Sequence, residues 1–223
     1  MSEYNLKIYR NPYDMGNLFT KANITLKSGV TVLVGCNGSG KTTLIRSIKR
    51  YLNDNKELVF DWDNYADGGI NSMNEYLFHG DIESVSLMAM SSEGEKIYYN
   101  LGNKFAKIKS IVEHSNGKNN IFILMDAIDS GLSIDNVIEI KEFIHKILEP
   151  DIINMGIIPY IIIIANGYEF TDSEDCFDVK HCKYVRFKDY NDYKKFILNS
   201  RKEKDIRLKK YYDKLQREGN KSE

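Results

Sequence analysis

One stretch, Val30–Leu44, limits what this chain can fold into more than any other. It reads Val-Thr-Val-Leu-Val-Gly-Cys-Asn-Gly-Ser-Gly-Lys-Thr-Thr-Leu and holds the spacing Gly35-x-x-x-x-Gly40-Lys41-Thr42. The run Thr31–Val34 reads as a buried parallel strand. After the glycines, residues 42–51 predict a helix, with Leu44, Ile45, Ile48 and Leu52 at apolar helical spacing. A strand that enters a helix through glycines makes an anion site. The backbone N–H groups turn toward the anion, and the helix N-terminus adds the positive end of its dipole. Such a loop cradles the phosphates of a nucleotide, with Gly35, Cys36, Asn37, Gly38, Ser39, Gly40, Lys41, Thr42 and Thr43 as the binding residues. Lys41 then reaches the outer phosphates, and the Thr42 hydroxyl ligates Mg²⁺.

Two later stretches extend the pattern. Ile121–Met125 is a second apolar strand and ends at Asp126, whose carboxylate is placed to hold the Mg²⁺ shell. Ser91-Ser92-Glu93-Gly94-Glu95 precedes an amphipathic run through Ile97, Leu101, Phe105 and Ile108. Read alone, it is either a serine N-cap with glutamates in the first helical turn or a second anion site at a helix N-terminus.

Together these residues resemble the ATP-binding cassette (ABC) ATPases and the AAA-type ATPases of their chromosome-structure and DNA-repair branches. Gly-Cys-Asn-Gly-Ser-Gly-Lys-Thr-Thr matches their loop, with its Asn-Gly inside. Ser92, Gly94 and Glu95 fall on matching positions of their signature, with Ser91 and Glu93 in place of Leu and Gly. Ala127-Ile128-Asp129-Ser130-Gly131-Leu132-Ser133 is similar to their segment Asp-Glu-Pro-x-Ser-Gly-Leu-Asp, which lies at a dimer interface. The resemblance implies ATP and Mg²⁺ as ligands, Thr42 and Asp126 as metal ligands, and a homodimer with composite sites. In that dimer Ser92 and Gly94 would contact the nucleotide bound by the partner chain.

The departures concern water activation. Ala127 stands where the resemblance implies a general-base glutamate, and an alanine cannot take a proton. Asn166-Gly167 replaces a switch histidine. The chain has a single glutamine, Gln216, so the role of a Mg²⁺-coupling glutamine is empty or falls to Asn71, Asn74 or His79. Asp129 is the best substitute base, and Lys41 and Asp129 form the candidate catalytic pair; a turn residue is the plainer role for Asp129. Three functions stay open. The first is an ATP-sandwich dimer that hydrolyses slowly and acts as a switch. The second is a competent ATPase using Asp129 in DNA repair, defence or mobile-element biology. The third, least favoured, is the ATPase subunit of a transporter.

The remaining sequence sets bounds. The 223 residues suit one α/β domain with a small lobe or tail. A net charge of −1 gives no global attraction to nucleic acid or membrane, although a local patch stays open. Three cysteines, Cys36, Cys176 and Cys182, form no metal-site spacing and point to a reducing, cytoplasmic setting. No leader peptide is expected, and the longest apolar run, 157–165, is far short of the roughly 20 residues a spanning helix needs. The expected fold is α/β, a P-loop nucleoside triphosphatase (NTPase) of the ABC ATPase type, with a mixed central sheet flanked by helices. Residues 1–200 form the ATP-binding domain, with a small irregular lobe at 61–110; residues 201–223 form a charged helical tail. Strands are expected at 4–9, 24–26, 58–60, 157–165 and 184–187, and helices at 135–148 and 190–198. Tyr13 and Phe19 are candidates to stack on adenine, although core packing suits both better.

Overall fold

Apolar runs without polar alternation require a sheet covered on both faces, and the chain builds one. A computed structural model describes residues 2–9, 18–63, 77–78, 80–91, 93–113 and 117–219. Six strands stand in the order β4 (Leu58–Asp63), β5 (Asn120–Asp126), β6 (Ile158–Ile164), β3 (Gly29–Val34), β7 (Asp175–Asp178) and β8 (Lys183–Val185). Every neighbouring pair is parallel except β7–β8. The architecture is therefore a mixed α/β fold with a mostly parallel sheet.

Alternate residues of the central strands supply two separate cores. On one face, Val32, Ile123, Met125, Ile161 and Ile163 pack with Val137, Ile140, Ile144 and Leu148. These last four come from α4 (Ile134–Phe143) and the π-helical segment Ile144–Leu148 that continues it into α5 (Glu149–Asn154). On the other face, Leu33, Phe122, Leu124, Ile162 and Ile164 meet Leu44, Ile48 and Leu52 of α1 (Lys41–Asp54). Fully burying one such aliphatic side chain contributes about 1.5–3 kcal/mol, so the two cores fix the register of strands whose carboxyl ends form the site.

Several elements differ from the sequence expectation. The strands expected at 4–9 and 24–26 are present, as β1 (Glu3–Lys7) and β2 (Asn23–Lys27), and they pair antiparallel as a hairpin separate from the main sheet, with Leu6 opposite Ile24. Leu6, Ile24 and Leu26 cover the α1 core, which gives the hairpin a buried face of its own. The strand β7 is new, because Asp-Cys-Phe-Asp is too short and too polar at its ends to announce itself. It is a strand because Thr31–Val34 pair along it. Apolar 85–90 is helical, within α2 (Ile82–Met90), and α3 (Glu93–Glu113) follows. Most of 61–81 lies outside the described residues, as do Asn71, Asn74 and His79; residues 61–63 continue β4.

The largest difference is at the end of the described chain. One helix, α6, runs from Tyr190 to Gly219 without a break at residue 200. The expected short helix and the charged tail are one element.

Candidate functional site

The carboxyl ends of β3, β5 and β6 meet where chain connections diverge to opposite sides, the usual place for a ligand in a parallel α/β sheet. The turn after β3 is shaped by glycines that no other residue replaces cheaply. Gly35 has φ 153° and Gly40 φ 102°. A Cβ on Gly35 would lie 2.5 Å from Ser39 Oγ, and one on Gly40 would lie 3.3 Å from the Phe19 ring. The Ser39 N–H donates to the Cys36 carbonyl at 3.0 Å and closes the turn. Gly40 then occupies the N-cap of α1 with no side-chain cap, so the first-turn N–H groups are not consumed by a capping side chain.

These groups open into a cavity of about 410 Å³ lined by Asn37, Gly38, Gly40, Lys41, Thr42, Thr43, Asp126 and Ala127, with Leu18, Ile164 and Asn166 completing the wall. Lys41 Nζ donates to the Gly35 carbonyl at 2.9 Å. Burial pushes its pKa down, opposed by Cys36, Asp126 and Asp129. Burial pushes the Asp126 carboxyl up, against the pull of the Thr42 hydroxyl that donates to it. Asp63, paired with Asp126 in the β4–β5 register, adds to the rise. A cation at this point would relieve the carboxylate, and the Thr42 hydroxyl and Asp126 are the hard oxygen donors that Mg²⁺ prefers. Among the described residues no cluster of three or more His, Cys, Asp or Glu is placed to hold a metal. A divalent ion here would therefore draw the rest of its shell from phosphate oxygens and water.

A family model described as an AAA domain matches residues 16–223. The chain belongs to the AAA domain family, which is P-loop ATPase-like. It is also similar to the signal recognition particle receptor FtsY of Thermoplasma acidophilum, 24% identical over 135 residues. That match covers 60% of this chain and 43% of the relative, so the chain spans less than half of that protein's length.

The remaining candidate residues of this AAA domain take different places. Ala127 lines the cavity immediately after Asp126, from a left-handed backbone with φ 55°. Asp129 does not line the cavity. Its Oδ2 accepts the Asn166 N–H at 2.6 Å and the Gly167 N–H at 2.5 Å, tying the turn after β5 to the end of β6. Its Oδ1 is buried with no hydrogen-bond partner among the described residues. Ser92 and Tyr13 lie outside the described residues, and Gly94 stands in the first turn of α3. Phe19 is buried in the α1 core, beneath Gly40, where it packs under the loop. Among the described residues, no helix is long and apolar enough to cross a membrane.

The sequence reading missed the role of α6. The Cys36 N–H donates to Ser200 Oγ at 3.2 Å, and Lys204 Nζ donates to the Asn37 carbonyl at 3.0 Å. The Tyr193 hydroxyl donates to the Asn166 carbonyl at 3.3 Å, and burial raises its pKa to about 12. The available signal was a stripe at helical spacing, Tyr193, Ile197, Ser200 or Arg201, and Lys204. Nothing in its composition says which surface it meets.

Proposed function

We propose that this AAA domain binds ATP with Mg²⁺ in the 410 Å³ cavity and acts as a nucleotide switch with slow hydrolysis. The observation that carries this reading is the convergence on one cavity of Lys41, Thr42, Asp126 and the uncapped start of α1, beside the methyl of Ala127. The N–H groups of 38–43 bind phosphate oxygens, and Lys41 exchanges its bond to the Gly35 carbonyl for the outer phosphates. Thr42 and Asp126 hold the metal side. Bound Mg²⁺ supplies charge neutralisation across the outer phosphates. Ala127, the residue that follows Asp126, has no group that takes a proton from water, which accounts for the slow rate.

The ABC-like motifs support a head-to-tail homodimer in which the partner's 92–94 segment closes the nucleotide site, a cytoplasmic setting, and the ABC type within the family. They also support 1–200 as the ATP-binding unit with a lobe at 61–110, and the charged 201–223 as an appendage that α6 joins to it.

A second reading makes Asp129 the base of a faster ATPase, and its unpartnered Oδ1 favours it. Asp129→Asn separates the two. Under the switch reading it leaves turnover near the wild-type background, whereas under the second reading turnover falls by about 10²-fold or more.

Binding is tested with a fluorescent ATP analogue on wild type and Lys41→Ala. The wild type binds, and the variant loses at least tenfold in affinity at an unchanged circular dichroism spectrum. Equal affinity of the two would overturn the assignment. Sedimentation with Mg²⁺-ATP tests the dimer: a wild type that stays monomeric at saturating nucleotide removes the composite site.

A further inference from the structure

Beside the phosphate cavity lies a second one of about 450 Å³, and both are lined by Asn37, Lys41 and Asn166. Its far wall belongs to α6 and includes Arg201 and Lys204. Among the described residues three cations, Lys41, Arg201 and Lys204, border this space and no carboxylate lines it. Lys204 is held in place by the Asn37 carbonyl, and its aliphatic chain lies 3.6 Å from where a Gly38 Cβ would stand. Arg201 makes no ion pair or hydrogen bond among the described residues. About one helical turn beyond Lys204, Arg207 Nε is buried without a hydrogen-bond partner among the described residues. Ser200 and Tyr193 fasten the same helix to Cys36 and Asn166, so α6 is set against both the start of the loop and the end of β6.

We propose that α6 reads the terminal phosphate of a nucleoside triphosphate in cis, through Arg201 and Lys204. The inference rests on nucleotide binding by the phosphate loop and adds how the third phosphate is distinguished. Lys41 lines both cavities, so a phosphate group that extends past it toward α6 meets the guanidinium of Arg201 and the ammonium of Lys204. A diphosphate ends before it. Charge-assisted hydrogen bonds to phosphate are strong enough to tell the two nucleotides apart. Because Lys204 and Ser200 also bond the loop backbone, a change at the third phosphate is passed to α6, the element that carries the charged C-terminal region.

The test is calorimetry on the full chain with Mg²⁺-ADP, a non-hydrolysable Mg²⁺-ATP analogue and inorganic phosphate, comparing wild type, Arg201→Ala, Lys204→Ala and Lys204→Arg. The expected result is a loss of about tenfold or more in triphosphate affinity for each alanine variant, with ADP affinity within about twofold of wild type. Lys204→Arg retains triphosphate affinity. Parallel losses for ATP analogue and ADP mean that α6 only props the loop, and overturn the proposal. Unchanged affinities overturn it as well and leave the phosphate-loop reading standing. Inorganic phosphate that binds through Arg201 without any change in nucleotide discrimination would make the cavity a free-anion site, again overturning it. A wild type that binds neither nucleotide defeats both readings together.

Discussion

Introducing a carboxylate at position 127 tests the proposal of slow turnover most directly. Ala127 lines the phosphate cavity, so Ala127→Glu is expected to bring a carboxylate to the side of the proposed triphosphate where water attacks. The left-handed backbone, φ 55°, costs an L-residue roughly 1–2 kcal/mol, but alanine already bears it, and glutamate adds little. A positioned general base is typically worth about 10²–10⁴-fold, and each tenfold is about 1.4 kcal/mol of barrier. Against this stands Asp126, one residue away. Two like charges about 4 Å apart repel by about 4 kcal/mol at the effective dielectric of a protein surface, a cost that bound Mg²⁺ offsets only in part. A base worth about 10⁴-fold, roughly 5.4 kcal/mol, keeps about 10²-fold if roughly 2.7 kcal/mol of the repulsion survives, so the expected net gain is at most about 10²-fold. The assay is steady-state phosphate release with Mg²⁺-ATP, with Ala127→Gln as a control of equal size that cannot act as a base. If Glu and Gln variants bind ATP like wild type and turn over alike, a missing base is not what limits the rate. A wild-type turnover of about 1 s⁻¹ or more, within the ordinary enzyme range, would also refute the reasoning.

Gly35→Ala should lower stability as well as nucleotide affinity, because the new Cβ lies 2.5 Å from Ser39 Oγ at φ 153°. Such backbone strain costs on the order of 1–3 kcal/mol, and a chain of this size loses about 2–4 °C of Tm per kcal/mol; thermal melts that superimpose on wild type would contradict it. A separate pH effect is expected at His145, whose pKa is raised to about 9 by hydrogen bonding to Glu149 and then Glu174. A raised folded pKa means the contribution is complete below the unfolded value of about 6.5 and disappears as pH climbs through about 9. Urea midpoints of wild type and His145→Gln should therefore differ at pH 6 and converge by about pH 10.

Local chemistry made much of this protein legible from its residues alone. The loop at 35–43 follows from glycine spacing between an apolar strand and an amphipathic helix, and the buried strands at 121–125 and 157–165 follow from unbroken apolar runs. That position 127 supplies no base is likewise local, since alanine cannot accept a proton in any fold. Other features depended on pairings between distant segments. Asp175–Asp178 is a strand only because β3 lies beside it, and residues 3–7 and 23–27 form a hairpin because they pair with each other and not with the main sheet. The role of Asp129 is set by two N–H groups 37 and 38 residues away. The placement of α6 against the phosphate loop joins residues 164 and 167 apart. Helical spacing shows that Ser200, Arg201 and Lys204 share a side of a helix. Which surface that side covers is set by how the whole chain packs, so only the tertiary structure brings their charges to the phosphate cavity.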